Sequence, residues 1–380
     1  MTGSEDRELG QRLAVLAVPP TPPPRYADDG MATGEHGWVV VPQAVLSPLT
    51  RTAIFVVVTI DRGSEMVARE LLSALSGLQR GVGFREPHGN LSCVAGVGSE
   101  AWDRLFGGPR PAELHPFREL VGPRHRAVST PGDLLFHIRA ERLDLCFALA
   151  SEIMDRLLGA VTLRDETFGF KYFDMRDLLG FVDGTENPVG QVASAAVLVD
   201  DEDPAFAGGT YVIVQKYLHD LQAWNALPVE AQEKVIGRTK LSDIELDDAI
   251  KPLDSHVALN TIVDPDNTER QILRDNMPFG SPGGGEFGTY FIGYSRTPSV
   301  TERMLQNMFL GSPPATHDRI LDFSTAVTGT LFFVPTVNFL DDPPDPPGAT
   351  AVVEVGSTAG GRPRPDGSLG IGDLNRRSSR

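Results

Sequence analysis

The stretch Thr52-Ala53-Ile54-Phe55-Val56-Val57-Val58-Thr59-Ile60 decides the fold, because it is β-branched and nearly all apolar, as a strand buried in a sheet must be. Val67, Leu71, Leu72, Leu75 and Leu78 follow at helical spacing, so the chain opens strand then helix. Leu91 to Val97 and Leu134 to Arg139 read as further strands. The apolar stripe Cys146, Leu149, Ala150, Ile153, Met154, Leu157 and Leu158, closed by Gly159, reads as a helix, and Val161 to Phe173 as a fourth strand. The order β-α-β-β-α-β predicts a ferredoxin-like unit, an antiparallel sheet with helices on one face. The second half repeats this order more loosely: a strand at Thr210 to Tyr217, a helix from about His219 to Ile236, a strand at Thr289 to Tyr294, a helix from Val300 to Leu310 stopped by Gly311, and a strand at Leu331 to Val334. The predicted fold class is therefore α+β, with two ferredoxin-like domains, 48–200 and 201–340, joined near residue 200. The excursion from Gly237 to Gly288 is too long for a plain connector and is where function is expected.

The composition, 41% apolar and 22% charged over 380 residues, is that of a globular protein large enough for two cores. A net charge of -17 argues against a nucleic-acid backbone or an anionic membrane as the main partner, since both would repel it. Cys93 and Cys146 sit in apolar segments and read as buried free thiols, which suits a reducing cytoplasm. No apolar run is long enough to cross a bilayer, and the N-terminus lacks the basic-then-apolar pattern of a secretion signal. Residues 1–40 are acidic and proline-rich and read as a disordered arm, or as the product of an upstream start with Met31 as the true one. Residues 341–380 form a flexible Pro- and Gly-rich tail.

Three segments carry candidate chemistry. Gly180-Phe181-Val182-Asp183-Gly184-Thr185-Glu186-Asn187-Pro188 places a carboxylate inside an apolar, glycine-hinged turn, where its proton affinity can be tuned and where Gly180 and Gly184 let a flat ligand or another backbone approach. Taken alone, the turn also reads as Asp183 bonding its own backbone. His256, in Asp254-Ser255-His256-Val257-Ala258-Leu259-Asn260, stands at a polar-to-apolar junction within the long excursion. By itself it reads as a core histidine satisfied by a carbonyl; without Cys or His partners it cannot build a structural zinc site, yet it can hold a haem iron from one side. In that setting Asp183 can shuttle the proton that peroxide cleavage requires. Arg274 and Asn276, two apart in Ile272 to Gly280, supply a fixed cation and a donor from one face of an extended segment. The competing reading of Arg274 is a surface ion pair with Asp275 or Glu269.

Together these segments resemble the dye-decolorising peroxidases. The Gly180 to Pro188 run looks like their G-x-x-D-G motif, Ser255 to Asn260 their proximal-histidine segment and Arg274 to Gly280 their distal-arginine segment, over a span of about Pro48 to Leu340 similar to the B-type branch. The resemblance implies a pair of ferredoxin-like domains with haem b held mainly by the C-terminal one. It implies His256 as axial iron ligand, Asp183 and Arg274 as the distal peroxide-handling pair, Arg274 also toward a haem propionate, and Asn276 as a distal donor. Asp318 is the candidate carboxylate for the second nitrogen of His256. Glu186, Glu245 and Glu269, where they converge near the haem edge, would bind Mn2+ as an oxidisable substrate; separately they read as solvated charges. The reaction implied is hydrogen peroxide reduction coupled to oxidation of dyes, phenolic or other donors. A haem-handling carrier with incidental peroxidase activity and a chlorite-dismutase-like enzyme are the alternatives.

The tail segment Asp366 to Leu374 presents Leu369, Ile371 and Leu374 between glycines on a flexible tether, a form that can push apolar anchors into a partner's groove. It is similar to the cargo-loading peptide by which such peroxidases enter encapsulin shells, with Asp373 and Asn375 departing from the usual residues. The resemblance thus implies cytoplasmic localisation inside an encapsulin nanocompartment. A homo-oligomer is expected from the family and from two sheets with exposed edges.

Overall fold

The computed structural model describes residues 40–348. The expected N-terminal arm and the tail anchors Leu369, Ile371 and Leu374 lie outside the described residues. The first half runs β1 (Thr52–Ile60), α1 (Glu65–Gly83), β2 (Ser92–Gly98), α2 (Ser99–Leu105), the short strands β3 (Leu120–Val121) and β4 (Arg126–Ala127), β5 (Leu134–Ala140), α3 (Leu143–Arg156) and β6 (Val161–Phe170). The second half runs α4 (Gly190–Val197), β7 (Thr210–His219), α5 (Leu221–Asn225), α6 (Val229–Ile236), α7 (His256–Asn260), β8 (Ile262–Val263), β9 (Glu269–Arg270), β10 (Leu273–Arg274), β11 (Met277–Ser281), β12 (Glu286–Ser295), α8 (Pro298–Leu310), β13 (Ser324–Ala326), β14 (Thr330–Val334) and α9 (Val337–Asp341).

The strands of the first half lie in the order β2-β5-β1-β6, all antiparallel, which is the ferredoxin-like arrangement. The second half repeats it as β14-β7-β12, with β10 and β11 both on the far edge of β12 as one strand broken in two. Two expectations are corrected. The sheets are not separate: β14 pairs with β7 on one edge and with β2 on the other, matching Phe332 to Gly98 and Phe333 to Val97, so the halves share one 10-stranded sheet. The single helix expected over His219 to Ile236 is two, because β7 continues to His219 and Pro228, which has no N–H to donate, stands between α5 and α6. In addition α4, which precedes residue 200, packs on β10 and β12 of the second half.

Strand alternation sorts side chains between two cores. From β1, Ile54, Val56, Val58 and Ile60 join the core under α1 and α3, while Ala53, Phe55 and Val57 join a second core shared with the C-terminal half. There Phe55 stacks on Tyr290 of β12 with ring centroids 4.0 Å apart. The halves meet so closely that a Cβ on Gly169 of β6 would stand 2.5 Å from Cβ of Met277. Both cysteines are buried and free.

Buried polar contacts cross this second core, and one of them is an ion pair. Arg139 on β5 reaches the carboxylate of Asp275, in the break between β10 and β11, and both side chains are 1% exposed. Arg139 also donates to Ser92 Oγ at 3.2 Å and to the Val45 carbonyl at 3.3 Å. His137, fully buried on the same strand, lies against Tyr294 Oη (2.8 Å to Nδ1) and has Nε2 3.7 Å from Asp275 Oδ2. Burial, then the charge of Arg139, pushes the His137 pKa well down, so the imidazole is neutral and Arg139 is the cation facing Asp275. Removing one partner of a buried pair strands the other charge. Arg139→Met should therefore lower unfolding stability by about 3–5 kcal/mol in denaturant titrations, with Asp275→Leu added to it recovering part of the loss; a single variant as stable as the parent would show that the pair does not join the halves.

Candidate active site

The segment from Met175 to Asn187 folds back on itself through its own backbone. Phe181 N–H donates to Asp177 Oδ1 at 3.0 Å, Asp177 N–H to the Phe181 carbonyl at 2.9 Å, and Asp183 N–H to the Met175 carbonyl at 2.8 Å. Gly180 (φ 92°) and Gly184 (φ 84°) take left-handed conformations that other residues resist. Their expected role of admitting a flat ligand is corrected: a Cβ on Gly180 would meet Lys240 Cε at 2.6 Å and one on Gly184 would meet Asn187 Nδ2 at 3.1 Å, so the space beside them is filled by side chains. They aim Asp183 by turning the chain.

Arg274, Asp275 and Asn276 occupy the break between β10 and β11. Asp275 faces inward to Arg139, while Arg274 and Asn276 line the cavity. Asn276 Oδ1 accepts the Ile292 N–H at 3.0 Å, taking the place a backbone carbonyl would have in an unbroken strand. Its amide nitrogen is thereby turned to Asp183, donating to Oδ1 at 3.2 Å and Oδ2 at 3.0 Å. Asn187 grips the neighbouring backbone from both sides, Nδ2 donating to the Arg274 carbonyl at 2.6 Å and Oδ1 accepting its N–H at 2.9 Å. Among the described residues Arg274 forms no ion pair with Asp275 or Glu269, and its buried Nε has no partner.

His256 opens α7. Its Nδ1 lies 2.7 Å from Asp318 Oδ2, a carboxylate with no exposure, whereas the imidazole is 32% exposed. Asp318 is fixed in turn: its N–H donates to the Met308 carbonyl at 2.8 Å, and its Oδ1 accepts the Ile320 N–H at 3.0 Å. Asn260, one turn along, donates to the His256 carbonyl at 2.8 Å. Burial alone would lower the imidazole's pKa, but the charge of Asp318 and its hydrogen bond outweigh that and hold it above the ordinary value. With Nδ1 engaged, Nε2 is the nitrogen left for a ligand.

Asp183, Arg274, Asn276 and His256 line one cavity of about 910 Å³ including its mouth, the size of a cofactor site; the residues around it run from Asp177 to Ser324, none of them from β1 to β6. Ile272, Phe291, Met304, Leu305 and Met308 make its apolar walls. A haem fits this donor set: one free imidazole nitrogen backed by a carboxylate, apolar walls for the macrocycle, and the unpartnered Arg274 Nε for an anionic group. Glu186 and Glu245 meet at Arg238, with Glu186 Oε1 2.8 Å and Glu245 Oε2 3.8 Å from its Nη1. Glu269, in β9, does not join them: among the described residues the three glutamates form no common ligand set.

Sequence reasoning missed residues that line or brace the cavity. Asn187, which braces the Arg274 backbone, reads in the sequence only as part of a turn. His219, read as opening a helix, ends β7 instead, with Nδ1 2.8 Å from Ser324 Oγ and Nε2 2.9 Å from Thr289 Oγ1, and burial lowers its pKa to about 4. Asp177, three residues before the motif, also lines the cavity; burial raises its pKa to about 7, with the Asp183 charge adding to the rise against its backbone hydrogen bonds. Spacing alone carries no signal for Asp177, although an aspartate before Leu178-Leu179 hints at burial. Lys240 and Arg176 are the cations near it. Because the folded state holds this proton more tightly than the unfolded chain does, the stability it contributes is fully present below about pH 4 and is lost as pH rises through about 7. Asp177→Asn should therefore flatten the fall in thermal stability between pH 4 and pH 8; an unchanged slope would mean that Asp177 titrates like an exposed carboxylate.

Residues 42–171 match the Dyp-type peroxidase N-terminal family and residues 174–339 its C-terminal counterpart. A dye-decolorizing peroxidase of Rhodococcus erythropolis is 62% identical over 336 residues, covering 88% of this chain and 97% of that protein. The encapsulated DyP-type peroxidase of Mycobacterium smegmatis, solved by cryo-electron microscopy, superposes with a TM-score of 0.80 at 64% identity, over 81% of this chain and 100% of that one. DypB of Rhodococcus jostii superposes with a TM-score of 0.78 at 57% identity, over 79% of this chain and 98% of that one, in one variant with heme and in another with manganese. With both halves matched and the two-sided cavity between His256 and the Asp183 turn in place, the chain belongs to the Dyp-type peroxidase family.

Proposed function

We infer that this protein is a haem b-dependent peroxidase that reduces hydrogen peroxide and oxidises dyes, phenolic compounds or other electron donors. The observation that carries the reading is the Asn276 to Asp183 contact in the cavity that His256 also lines: Asn276 is oriented by the Ile292 N–H so that its Nδ2 faces both oxygens of the carboxylate. Asp183 is thereby held in the cavity with its carboxylate oxygens aimed by a fixed donor, placed to act as the base. Haem held by His256 Nε2, with Arg274 toward a propionate, would supply the iron on which the peroxide bond is cleaved and the oxidising power passed to the donor.

The chain's own residues then have defined tasks. Asp183 takes a proton from one oxygen of hydrogen peroxide and delivers it to the other, which departs as water. Arg274 steadies the negative charge that develops on the departing oxygen, and Asn276 and Asn187 hold the two in register. Asp318 accepts the Nδ1 hydrogen of His256 and raises its basicity as a ligand. Two electrons from the donor balance each peroxide reduced.

The tail anchors Leu369, Ile371 and Leu374 and the encapsulated relative support packaging of this protein in a cytoplasmic encapsulin compartment; a homo-oligomer is the assembly expected from the family resemblance. Among the described residues no helix is long and apolar enough to cross a membrane. A relative solved in complex with manganese supports Mn2+ as an oxidisable substrate; in this chain Glu186 and Glu245 are the acidic pair that would take the ion, in competition with Arg238. Asp183→Asn keeps the shape and loses the base. Rapid mixing with peroxide should show its reaction slowed by roughly a hundredfold or more with haem content intact; an unchanged rate would remove Asp183 from the mechanism.

A further inference from the structure

We propose that His125, His317 and Asp322 form a second metal site, separate from the haem cavity, for a borderline divalent cation of the Zn2+ class. His125 sits in the turn of the β3–β4 hairpin, while His317 and Asp322 flank the short 3-10 turn Arg319–Asp322 that follows Asp318. The Nε2 atoms of His125 and His317 converge on one oxygen, Asp322 Oδ1, at 3.2 and 3.1 Å. All three ligand atoms lie within 4.8 Å of one another. A tetrahedral cation bonded at about 2.0–2.1 Å to each would separate its ligand atoms by roughly 3.3 Å. The two imidazole-to-carboxylate spacings are within a few tenths of an ångström of that, and the two imidazole nitrogens lie within 4.8 Å of each other.

The surroundings prepare these groups as ligands. Thr316 Oγ1 lies 3.1 Å from His317 Nδ1, so this nitrogen can give its hydrogen to the hydroxyl and leave Nε2 as the lone-pair donor. Arg319 Nε donates to Asp322 Oδ2 at 2.8 Å, which leaves Oδ1 facing the imidazoles. The two imidazoles stand beside each other with centroids 4.9 Å apart. The side chains are 21%, 7% and 22% exposed, sheltered yet open to a fourth ligand such as water. The hairpin is pinned on α8 through Gly122, whose Cβ position is closed off by the Phe309 carbonyl.

The position suggests the task. His125 comes from the first half and the other two ligands from the second, so a bound cation ties the halves together. His317 and Asp322 also bracket Asp318, the carboxylate that holds His256, so the same cation fixes the segment carrying it.

The test is calorimetric titration of chelator-treated, haem-loaded protein with ZnCl2, joined to zinc-edge X-ray absorption of the loaded sample. One saturable Zn2+ per chain is expected, with two imidazole nitrogens and an oxygen in its shell. His125→Ala and His317→Ala should each weaken binding tenfold or more, while Glu152→Gln, on the exposed face of α3, leaves it unchanged. His125 is partly exposed in a hairpin turn, so that variant tests the site even where His317→Ala fails to fold. Absence of saturable binding, or binding by the His125→Ala protein as tight as by the parent, would overturn the assignment.

Discussion

Arg139 and Asp275 hold the two halves of this protein together at the point where the second half's sheet is broken. An ion pair with both members 1% exposed is expensive to bury, and it is retained where a second consequence follows from it. Here the consequence is direction. With Asp275 turned inward to Arg139, its neighbours Arg274 and Asn276 turn the other way, into the cavity. The Asn276 side chain then completes the strand by accepting the Ile292 N–H, and that fixes which end of its amide meets Asp183. A fault in a β-strand has become the frame of one wall of the site.

The His256 side is built by different means. No strand carries it; α7 has five residues, and its imidazole is fixed by Asp318 from a segment that follows α8. Asp318 is held by the Met308 carbonyl, and Asn307 Nδ2 ties α8 to the Leu259 carbonyl of α7 at 2.9 Å. The His256 side therefore depends on helix packing, while the Asp183 side depends on sheet register. A cation at His125, His317 and Asp322 would brace the first of these from outside the cavity.

Much of this was legible in the sequence where one residue type has one physical meaning. The β-branched run of β1, the stripe of α3 and the Gly311 stop of α8 each gave an element at nearly its observed bounds. Asp183, His256, Arg274 and Asn276 were singled out by residue type and by resemblance, and the fold brings the four to one cavity. What stayed hidden depends on partners far away in the chain. Arg139 reads as an ordinary strand residue until Asp275 stands opposite it, and Asn187 as a turn residue until the Arg274 backbone lies beside it. The helix expected across His219 to Ile236 failed because apolar spacing continued through Pro228, and the joined sheets were missed because no local pattern marks a strand paired on both edges by different halves. Of Glu186, Glu245 and Glu269, the convergence that sequence leaves open is partial: the first two meet at Arg238, while Glu269 lies apart in β9.

The central claim is that this cavity is a haem site closed on one side by His256 and served by Asp183 and Arg274. Its most direct measurement is the absorption spectrum of the protein titrated with hemin and then mixed with hydrogen peroxide. The account predicts a Soret band saturating at one haem per chain, altered in position or lost in His256→Ala, and changed within the mixing experiment when peroxide is added to the parent protein. No haem band after reconstitution, or a His256→Ala protein with full haem and an unaltered Soret spectrum, would contradict it.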